Sequence, residues 1–182
     1  MNNITQALLI LSLTSISMAQ NNNIYVGVGL IMESIDSELI DDVGTAIEIK
    51  IGKNIDNNFA IEGKFSKTIN EAKDNSFYYD SQTKEKILLK TDIMTYSLSG
   101  VYNHKLTNDL IISPRIGYLK EYVDFSFPNK YTNLPPSGED TGITLGIDIK
   151  KYIPSFNANI YAGYTLIDSN VKHFSFGILR NF

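Results

Sequence analysis

The sequence predicts an all-β chain that folds as an eight-stranded antiparallel up-and-down transmembrane β-barrel. Apolar and polar residues alternate with period two along eight segments, the spacing that sends successive strand side chains to opposite faces. Within these segments the charged residues fall mainly on one face. The connections alternate between short turns and longer polar loops, apart from a short last loop. These observations predict a closed sheet whose apolar face meets lipid.

The period-two pattern also sets the approximate limits of each strand. The chain stops on a phenylalanine, which closes the last alternating segment. The predicted lengths are close to the ~9–11 residues that a tilted strand needs to cross a bilayer. The predicted strands are residues 24–32, 44–53, 58–67, 90–103, 110–120, 141–151, 157–166 and 174–182.

One face of every predicted strand is mainly apolar and is assigned to lipid. In strand order, its apolar side chains are Val26, Val28, Leu30 and Met32; Ile47, Ile49 and Ile51; Phe59, Ile61 and Phe65; Met94, Tyr96, Leu98 and Tyr102; Ile112, Ile116 and Tyr118; Ile143, Leu145, Ile147 and Ile149; Ile160, Ala162, Tyr164 and Leu166; and Phe174, Phe176, Ile178 and Phe182.

The opposite face of the strands carries charged side chains, which we assign to the barrel lumen as structural charges. They are Glu48, Lys50, Glu62, Lys64, Arg115, Asp148 and Lys150. An eight-stranded barrel is narrow enough for side chains to fill it, so no open diffusion pore is expected. A five-residue turn over 54–58 predicts that Lys50 faces Glu62 and that Glu48 faces Lys64. The alternative is a secreted, soluble ligand-binding barrel with its apolar face inward.

The lengths of the connections predict the orientation of the barrel. Short turns are expected at 54–57, 104–109 and 152–156, and longer loops at 33–43, 68–89 and 121–140, with a short last loop at 168–170. Short turns on the periplasmic side and longer loops outside are typical of outer-membrane barrels. This orientation predicts two aromatic girdles: Phe59, Tyr102 and Phe182 at the periplasmic rim, and Phe65, Tyr118, Tyr164 and Phe174 at the outer rim.

The N-terminus is predicted to be a secretion signal. Residues 7–19 form an uncharged, mostly apolar run, too short to span a bilayer as a helix, and it ends in Ser17-Met18-Ala19. We therefore expect a signal peptide over 1–19 and a barrel domain over 20–182. Residues 1–6 contain no Lys or Arg, and the alternative is an apolar helix that stays attached.

Composition argues against several other classes of protein. The formal net charge is -4 and there is no cysteine, so neither a disulfide framework nor a lipid anchor on cysteine is expected. An acidic chain without a basic stripe argues against nucleic acid as a partner. No cofactor is expected, since the pair Gly27 and Gly29 is followed by no helix of a nucleotide-binding motif.

Candidates for metal binding and catalysis are weak in this sequence. The acidic residues Glu33, Asp36, Glu38, Asp41 and Asp42 share the first loop but lack the spacing of a calcium loop, so a solvated loop is expected.

The alternative function is an outer-membrane lipid-modifying enzyme, an acyl hydrolase or transferase. His173 lies near Ser169 and Ser175 at the predicted outer rim, but no nucleophile motif accompanies them. We predict no catalytic residue and no metal site.

These features resemble the small outer-membrane β-barrel family that includes opacity-like proteins and the barrel of outer membrane protein A, over about residues 24–182. The resemblance implies a bacterial outer-membrane protein, expected to be a monomer, in contact with lipid and with the barrel assembly machinery. That machinery would recognise the last strand through Phe174, Phe176, Ile178 and Phe182, whereas Arg180 departs from the family pattern. The expected role is structural, or adhesion and surface interaction, with an external ligand or a host surface as partner.

Overall fold

The computed structural model describes residues 23–35, 43–70, 72–79, 86–126, 137–167 and 171–182. The predicted signal peptide, most of the first acidic loop and Ser169 lie outside these residues. The strands are β1 (Ile24–Ile35), β2 (Val43–Asn54), β3 (Phe59–Asn70), β4 (Ala72–Tyr79), β5 (Lys86–Tyr102), β6 (His104–Lys105), β7 (Leu110–Ser126), β8 (Ser137–Ile153), β9 (Ala158–Leu166) and β10 (Val171–Asn181). A 3-10 turn, Pro154–Phe156, joins β8 to β9.

Eight of these strands form a closed antiparallel ring. Its order is β5, β3, β2, β1, β10, β9, β8 and β7, and β7 pairs back onto β5. The seam between the first and last strands runs over eleven residue pairs, from Tyr25 opposite Asn181 to Ile35 opposite Val171. The predicted fold class and the strand count of the barrel are therefore confirmed.

Two additional strands depart from the sequence prediction. β4 lies within the loop expected at 68–89 and pairs with the outer part of β5, so that part of the loop prediction is wrong. β6 has only two residues and pairs with β7 inside the predicted turn 104–109. The loop expected at 121–140 is also shorter than predicted, because β7 continues to Ser126 and β8 begins at Ser137.

The outer end of the barrel is uneven in height. β5, β7 and β8 have 17 residues each, whereas β9 has 9 and β10 has 11. The outer parts of β5, β7 and β8, with β4 added to β5, therefore extend beyond the rest of the ring. We call this extension the tall wall.

Burial confirms which face of the sheet is apolar and exposed. Leu98 and Ile143 on the outward face are 62% and 70% exposed, whereas Glu48 and Lys50 on the inward face are both 0% exposed. A soluble lipocalin-type barrel would show the reverse arrangement, so the soluble alternative is excluded. The outward apolar side chains are those that a bilayer would cover.

None of the helices in the described residues is long and apolar enough to cross a membrane.

Aromatic side chains cluster at both ends of the outward face, at the positions predicted from strand direction. At the periplasmic end the rings of Phe59 and Tyr102 lie 5.1 Å apart. At the outer end Tyr164 and Phe174 are 4.8 Å apart. Tyr118 of the outer girdle is 58% exposed. Aromatic rings at these two levels are typical of outer-membrane barrels, where they sit at the headgroups.

The turn between β2 and β3 differs from the prediction. Lys53 is opposite Ile61 rather than Phe59, so Lys50 is opposite Lys64 and not opposite Glu62. Glu48 is likewise opposite Ser66 rather than Lys64. The predicted pairs are therefore wrong.

The physical reason for the shifted register lies in the side chain of Asp56. Its carboxylate accepts hydrogen bonds from the backbone N–H groups of Asn58 and Phe59, each at 2.7 Å. The amide of Ile55 also donates to the carbonyl of Phe59, at 2.8 Å. These bonds place the five-residue turn at 55–59 instead of 54–58, which shifts the register by two residues. The two backbone donors hold the pKa of Asp56 below its usual value.

Candidate functional site

A network of buried charges occupies the middle of the lumen. The Lys50 ammonium lies 3.0 Å from Oδ2 of Asp148 and 3.6 Å from Oε1 of Glu48. Arg115 approaches the other oxygen of Asp148, and Lys64 lies 3.8 Å from Oε2 of Glu48. Lys50, Glu48 and Asp148 are nearly inaccessible to solvent. With the shifted register, Glu48 of β2 is not directly opposite Lys64 of β3 but lies diagonally across from it. The main partner of Lys50 is Asp148 of β8.

The remaining charges predicted for the lumen are also buried there. Glu62 accepts a hydrogen bond from the Tyr25 hydroxyl at 2.9 Å. Lys150 donates to the side-chain oxygen of Asn103 at 3.2 Å, nearer the periplasmic end. The guanidinium of Arg115 also donates to Thr165. The contribution of these groups to stability is a prediction.

Two tyrosines join the network that charge patterning alone did not single out. The Tyr161 hydroxyl donates to Glu48, and the Lys50 ammonium lies 4.0 Å from the centroid of the Tyr161 ring. Tyr25 and Tyr161 are both buried. The sequence signal for them was an aromatic residue on the otherwise charged and glycine-rich face. Each gives a lumen carboxylate an uncharged donor while its ring fills space.

The filled lumen bears directly on transport. A continuous water channel would have to pass the side chains at the centre of the network, and it would expose them. Glu48 and Lys50 are 0% exposed and Asp148 is 1% exposed. The barrel is therefore not an open diffusion pore, in agreement with the narrow ring of eight strands.

A second buried polar cluster lies at the outer end of the lumen. His173 Nε2 is 3.6 Å from Oε1 of Glu33, which is its register partner across the seam. The other oxygen of Glu33 accepts a hydrogen bond from Thr68 at 3.0 Å. In the described residues neither ring nitrogen of His173 has a hydrogen-bond partner. The Ser175 hydroxyl has none there either. The structure thus brings His173 to Glu33 and forms no Ser–His relay among these residues.

Across the described ranges, no three His, Asp or Glu side chains are grouped in a way that could hold a metal ion.

The tall wall has a free edge on the side of β9. Within the described residues, β8 pairs with β7 from Ser137 onward but with β9 only from Leu145 onward. Ile143 is opposite Tyr118 of the outer girdle, so the preceding part of β8 lies beyond the membrane. The backbone groups that β8 directs to this side between Ser137 and Thr144 have no ladder partner in the described part of the chain, and the Thr141 amide donates to Oδ1 of Asp140 at 2.7 Å instead.

A cavity adjoins this free edge. It has a volume of about 560 Å³ and is lined by Gly142 and Ile143 of β8, Leu119 of β7, and Leu166 and Ile167 at the end of β9. Leu119 and Ile167 are buried, whereas Ile143 is exposed. Glu121 and Asp140 also line the cavity, so its surface is mixed. A hollow beside an unpaired strand edge is a site where another strand would fit, with an apolar side chain against the leucine and isoleucine side chains.

The last strand presents its aromatic residues to the lipid. Phe174, Phe176 and Ile178 are 47%, 48% and 54% exposed on the outward face of β10. The amide of Phe182 donates to the carbonyl of Ile24 at 2.8 Å and completes the seam. Recognition of this strand by the assembly machinery stays a prediction.

Comparisons with solved structures give outer-membrane barrels at low sequence identity. Ail, the attachment invasion locus protein of Yersinia pestis, is 17% identical, with a TM-score of 0.54 over 86% of this chain and 93% of that chain. Neisserial surface protein A is 17% identical, with a TM-score of 0.56 over 87% and 97%. The N-terminal barrel of Pseudomonas aeruginosa OprF is 12% identical, with a TM-score of 0.52 over 87% and 97%. These similarities establish the fold.

Ail has also been solved in complex with the heparin analogue sucrose octasulfate. That structure has a TM-score of 0.53 to this chain, with 17% identity over 86% of this chain and 94% of that chain.

No curated protein sequence matches significantly. The family model described as the outer membrane protein beta-barrel domain matches residues 6–182. This match spans nearly the whole sequence and agrees with the closed ring, the lipid-facing apolar surface and the polar lumen. The chain belongs to the outer membrane protein beta-barrel family and is a protein of the bacterial outer membrane.

Proposed function

We propose that the protein is a non-catalytic surface-recognition barrel that binds a protein partner along the free edge of β8. The observation that carries the proposal is the pairing of β8, which has β7 on one side but lacks a partner from Ser137 to Thr144 on the other in the described residues. The filled lumen argues against a transport role. The tall wall is the part that reaches furthest beyond the bilayer.

The physical basis of binding would be strand addition. An unpaired strand edge offers a row of backbone donors and acceptors, and an incoming extended segment satisfies them while its side chains enter neighbouring hollows. Each new backbone hydrogen bond contributes about 0.5–1.5 kcal/mol. The cavity beside Gly142 and Ile143 would receive an apolar side chain of the incoming segment.

Charge on the tall wall favours a protein segment over a sulfated glycan as the partner. Ail was solved with a heparin analogue, which is strongly anionic. The described side chains of this wall include the acids Asp92, Asp124, Glu139 and Asp140. Among these described side chains the cation is Lys120, and its ammonium already lies 2.9 Å from Oε2 of Glu139. A polyanion would be repelled by this surface.

The test compares proline substitutions at two successive edge positions, Thr141 and Gly142. Successive residues of a strand direct their backbone groups to opposite sides. The Thr141 amide donates to Oδ1 of Asp140 at 2.7 Å rather than to β7, so an incoming strand would take this donor over from Asp140, and Thr141→Pro removes it. Gly142→Pro instead removes a ladder bond to β7. The measurement is adhesion of a non-adherent bacterium producing each variant to surfaces coated with a panel of extracellular-matrix proteins. The free-edge proline is expected to reduce adhesion about tenfold while the barrel stays folded.

The control is Glu139→Gln, which changes the same wall without touching its backbone. It is expected to keep wild-type adhesion, and added heparin should not compete. If the wild-type protein confers no adhesion on any coated surface, or if the free-edge proline adheres as well as wild type, recognition through this edge is wrong.

The arrangement of His173 supports a non-catalytic role. His173 is 0% exposed and Ser175 is 3% exposed, so neither is accessible to a lipid substrate. Their side chains face the lumen, while acyl chains would lie on the other side of the sheet. We therefore propose that the cluster of His173, Glu33 and Thr68 is structural.

We also propose that residues 1–19 are a signal peptide removed on export, which leaves a barrel domain over 20–182. The apolar run ending in Ser17-Met18-Ala19 supports this division. Intact-mass measurement of the protein purified from outer membranes is expected to give the mass of a chain that begins at Gln20. A mass that includes the first 19 residues would contradict it.

A further inference from the structure

Another cavity lies at the periplasmic end of the lumen, and the function proposed above does not use it. It has a volume of about 370 Å³, within the range of about 300–1,000 Å³ that small-molecule sites occupy. Its lining includes residues of β1, β2, β7, β8, β9 and β10, so it lies on the axis of the ring. We call this cavity the periplasmic cup. It lies on the periplasmic side of the network of buried charges.

Asparagine is the commonest residue in the lining of the periplasmic cup. Asn54, Asn103 and Asn159 are half-buried along its wall, and four more asparagines are exposed at its rim. The side-chain oxygen of Asn103 accepts hydrogen bonds from Ser113 at 2.8 Å and from Lys150 at 3.2 Å. The side-chain amides of Asn54 and Asn159 form no hydrogen bond within the described residues. Each of these two amides therefore offers both a donor and an acceptor to a ligand in the cup.

The floor of the cup carries a positive charge. It is formed by the buried side chains of Tyr25, Lys150 and Leu179. The Lys150 ammonium lies 5.5 Å from the centroid of the Tyr25 ring, and the hydroxyl of that ring donates to Glu62. No carboxylate in the described part of the chain forms an ion pair with Lys150. Its hydrogen bond to Asn103 is to a neutral oxygen, so the charge itself is not compensated there.

The balance of charge points to the same residue. The charges predicted for the lumen, all of them buried there, are four cations and three carboxylates. The two carboxylates of the central ion pairs, Glu48 and Asp148, contact the other three cations. At the rim of the cup Lys105 and Asp56 carry opposite charges, so together they add no net charge. The excess positive charge of this part of the lumen therefore lies at Lys150, on the floor of the cup.

We propose that the periplasmic cup binds a carbohydrate that carries a carboxylate. Lys150 would hold the carboxylate, and a hydrogen bond between an ammonium and a carboxylate is among the strong ones. Sugar hydroxyls both donate and accept, as the side-chain amides of Asn54 and Asn159 do. Ile111 and Leu179 supply apolar surface for the carbon face of a sugar ring.

The pairing of the backbone favours a carbohydrate over a peptide in this cup. Tyr25 of β1 is opposite Asn181 on one side and Gly52 on the other, and Lys151 of β8 is opposite both Leu110 and Ile160. The strands at this end are thus paired on both edges, unlike β8 at the outer end. A peptide in the cup would find no strand edge to extend. Side chains alone contact the ligand, and these are mainly amides.

The experiment titrates the purified barrel, in detergent micelles, with two pairs of sugars and follows binding by NMR. The first pair is galacturonic acid and galactose, which differ in the carboxylate, and the second is N-acetylmuramic acid and N-acetylglucosamine. Because a hydrogen bond to a charged group is worth more than a neutral one, each acid should bind at least about tenfold more tightly than its neutral partner. Tighter binding of N-acetylmuramic acid than of galacturonic acid would assign the site to cell-wall glycan, and the reverse order to other sugar acids.

Substitution of Lys150 separates recognition of the carboxylate from a structural role. Lys150→Gln should weaken binding of each acid about tenfold and leave the affinity for the neutral sugars unchanged. The matched control is Lys151→Gln, which removes the same charge from the next residue, on the outward face, and should keep wild-type affinities. Equal affinity of wild type for acid and neutral sugar, or an equal loss in the control, would overturn the proposal. Failure of wild type to bind either acid would do the same.

Two further measurements keep the proposal testable if Lys150→Gln does not fold, which the heat-dependent shift in gel mobility reports. Asn159→Leu changes no charge and should weaken both members of each pair about fivefold. Unchanged affinities in a folded Asn159→Leu variant would contradict a role of the amides. Triglycine, a peptide with a free carboxylate, should bind more weakly than either sugar acid, and equal binding would rule out a carbohydrate site.

Discussion

Replacing Asp148 by alanine is expected to destabilise the barrel by about 3–5 kcal/mol, because it leaves buried cations without their carboxylate. Asp148 binds Lys50 at 3.0 Å and also contacts Arg115, and all three side chains are almost inaccessible to solvent. The Lys50 ammonium then keeps the longer contact to Glu48 at 3.6 Å and its position over the Tyr161 ring. The measurement is the free energy of unfolding in urea, with the protein folded into lipid vesicles.

Two comparisons make the Asp148 result specific. Glu139→Ala removes an ion pair with Lys120 whose side chains are 62% and 41% exposed, and it should cost no more than about 1 kcal/mol. The double variant Asp148→Ala with Lys50→Met should recover part of the loss, because it also removes the Lys50 charge that the single variant leaves without its carboxylate. A loss in Asp148→Ala as small as that of Glu139→Ala would show that the lumen network does not stabilise the fold.

Gly177→Val is expected to prevent closure of the barrel or to cost about 3 kcal/mol or more. Gly177 is directly opposite Gly29 in the seam between β1 and β10. A Cβ atom at Gly177 would overlap the Val28 carbonyl oxygen and lie 2.6 Å from the Gly29 Cα. These are backbone atoms, so no rotamer change relieves the contact. The Tyr161 hydroxyl occupies the space above both glycines, 2.7 Å from the same Cβ position.

The readout for Gly177→Val is the fraction of protein that shows the heat-dependent mobility shift after refolding into detergent. Gly138→Val is the matched control, because a Cβ at Gly138 meets nothing within 4 Å. It should change stability by no more than about 0.5 kcal/mol. Wild-type refolding and urea resistance in Gly177→Val would mean that the seam tolerates side chains at this position.

The orientation of side chains in the sheet could be predicted from the sequence because it follows from period two alone. Glu48 and Lys50 face the lumen and Leu98 and Ile143 face outward, as their spacing along each strand requires. The aromatic girdles follow from the same rule once strand direction is known. These properties depend on residues that are close in the chain.

Pairing across the lumen could not be predicted in this way. Lys50 and Asp148 are 98 residues apart and meet only because strand tilt and register bring β2 and β8 to face each other across the ring. The register of β2 and β3 depended on two backbone hydrogen bonds to Asp56, which residue spacing does not reveal. The tall wall was missed for a different reason. Beyond the membrane a strand needs no apolar face, so the outer parts of β7 and β8 lack the signal.

The seam between β1 and β10 also imposes an order of events on biogenesis. Its pairs join residues about as distant in the chain as the barrel allows, such as Tyr25 with Asn181. Contacts of such long range form late, and here they must wait until the last strand has been synthesised and exported. Until then β1 has an unpaired edge that could pair with another chain. A shielding factor in the periplasm would thus be needed most during the interval between export of β1 and arrival of β10.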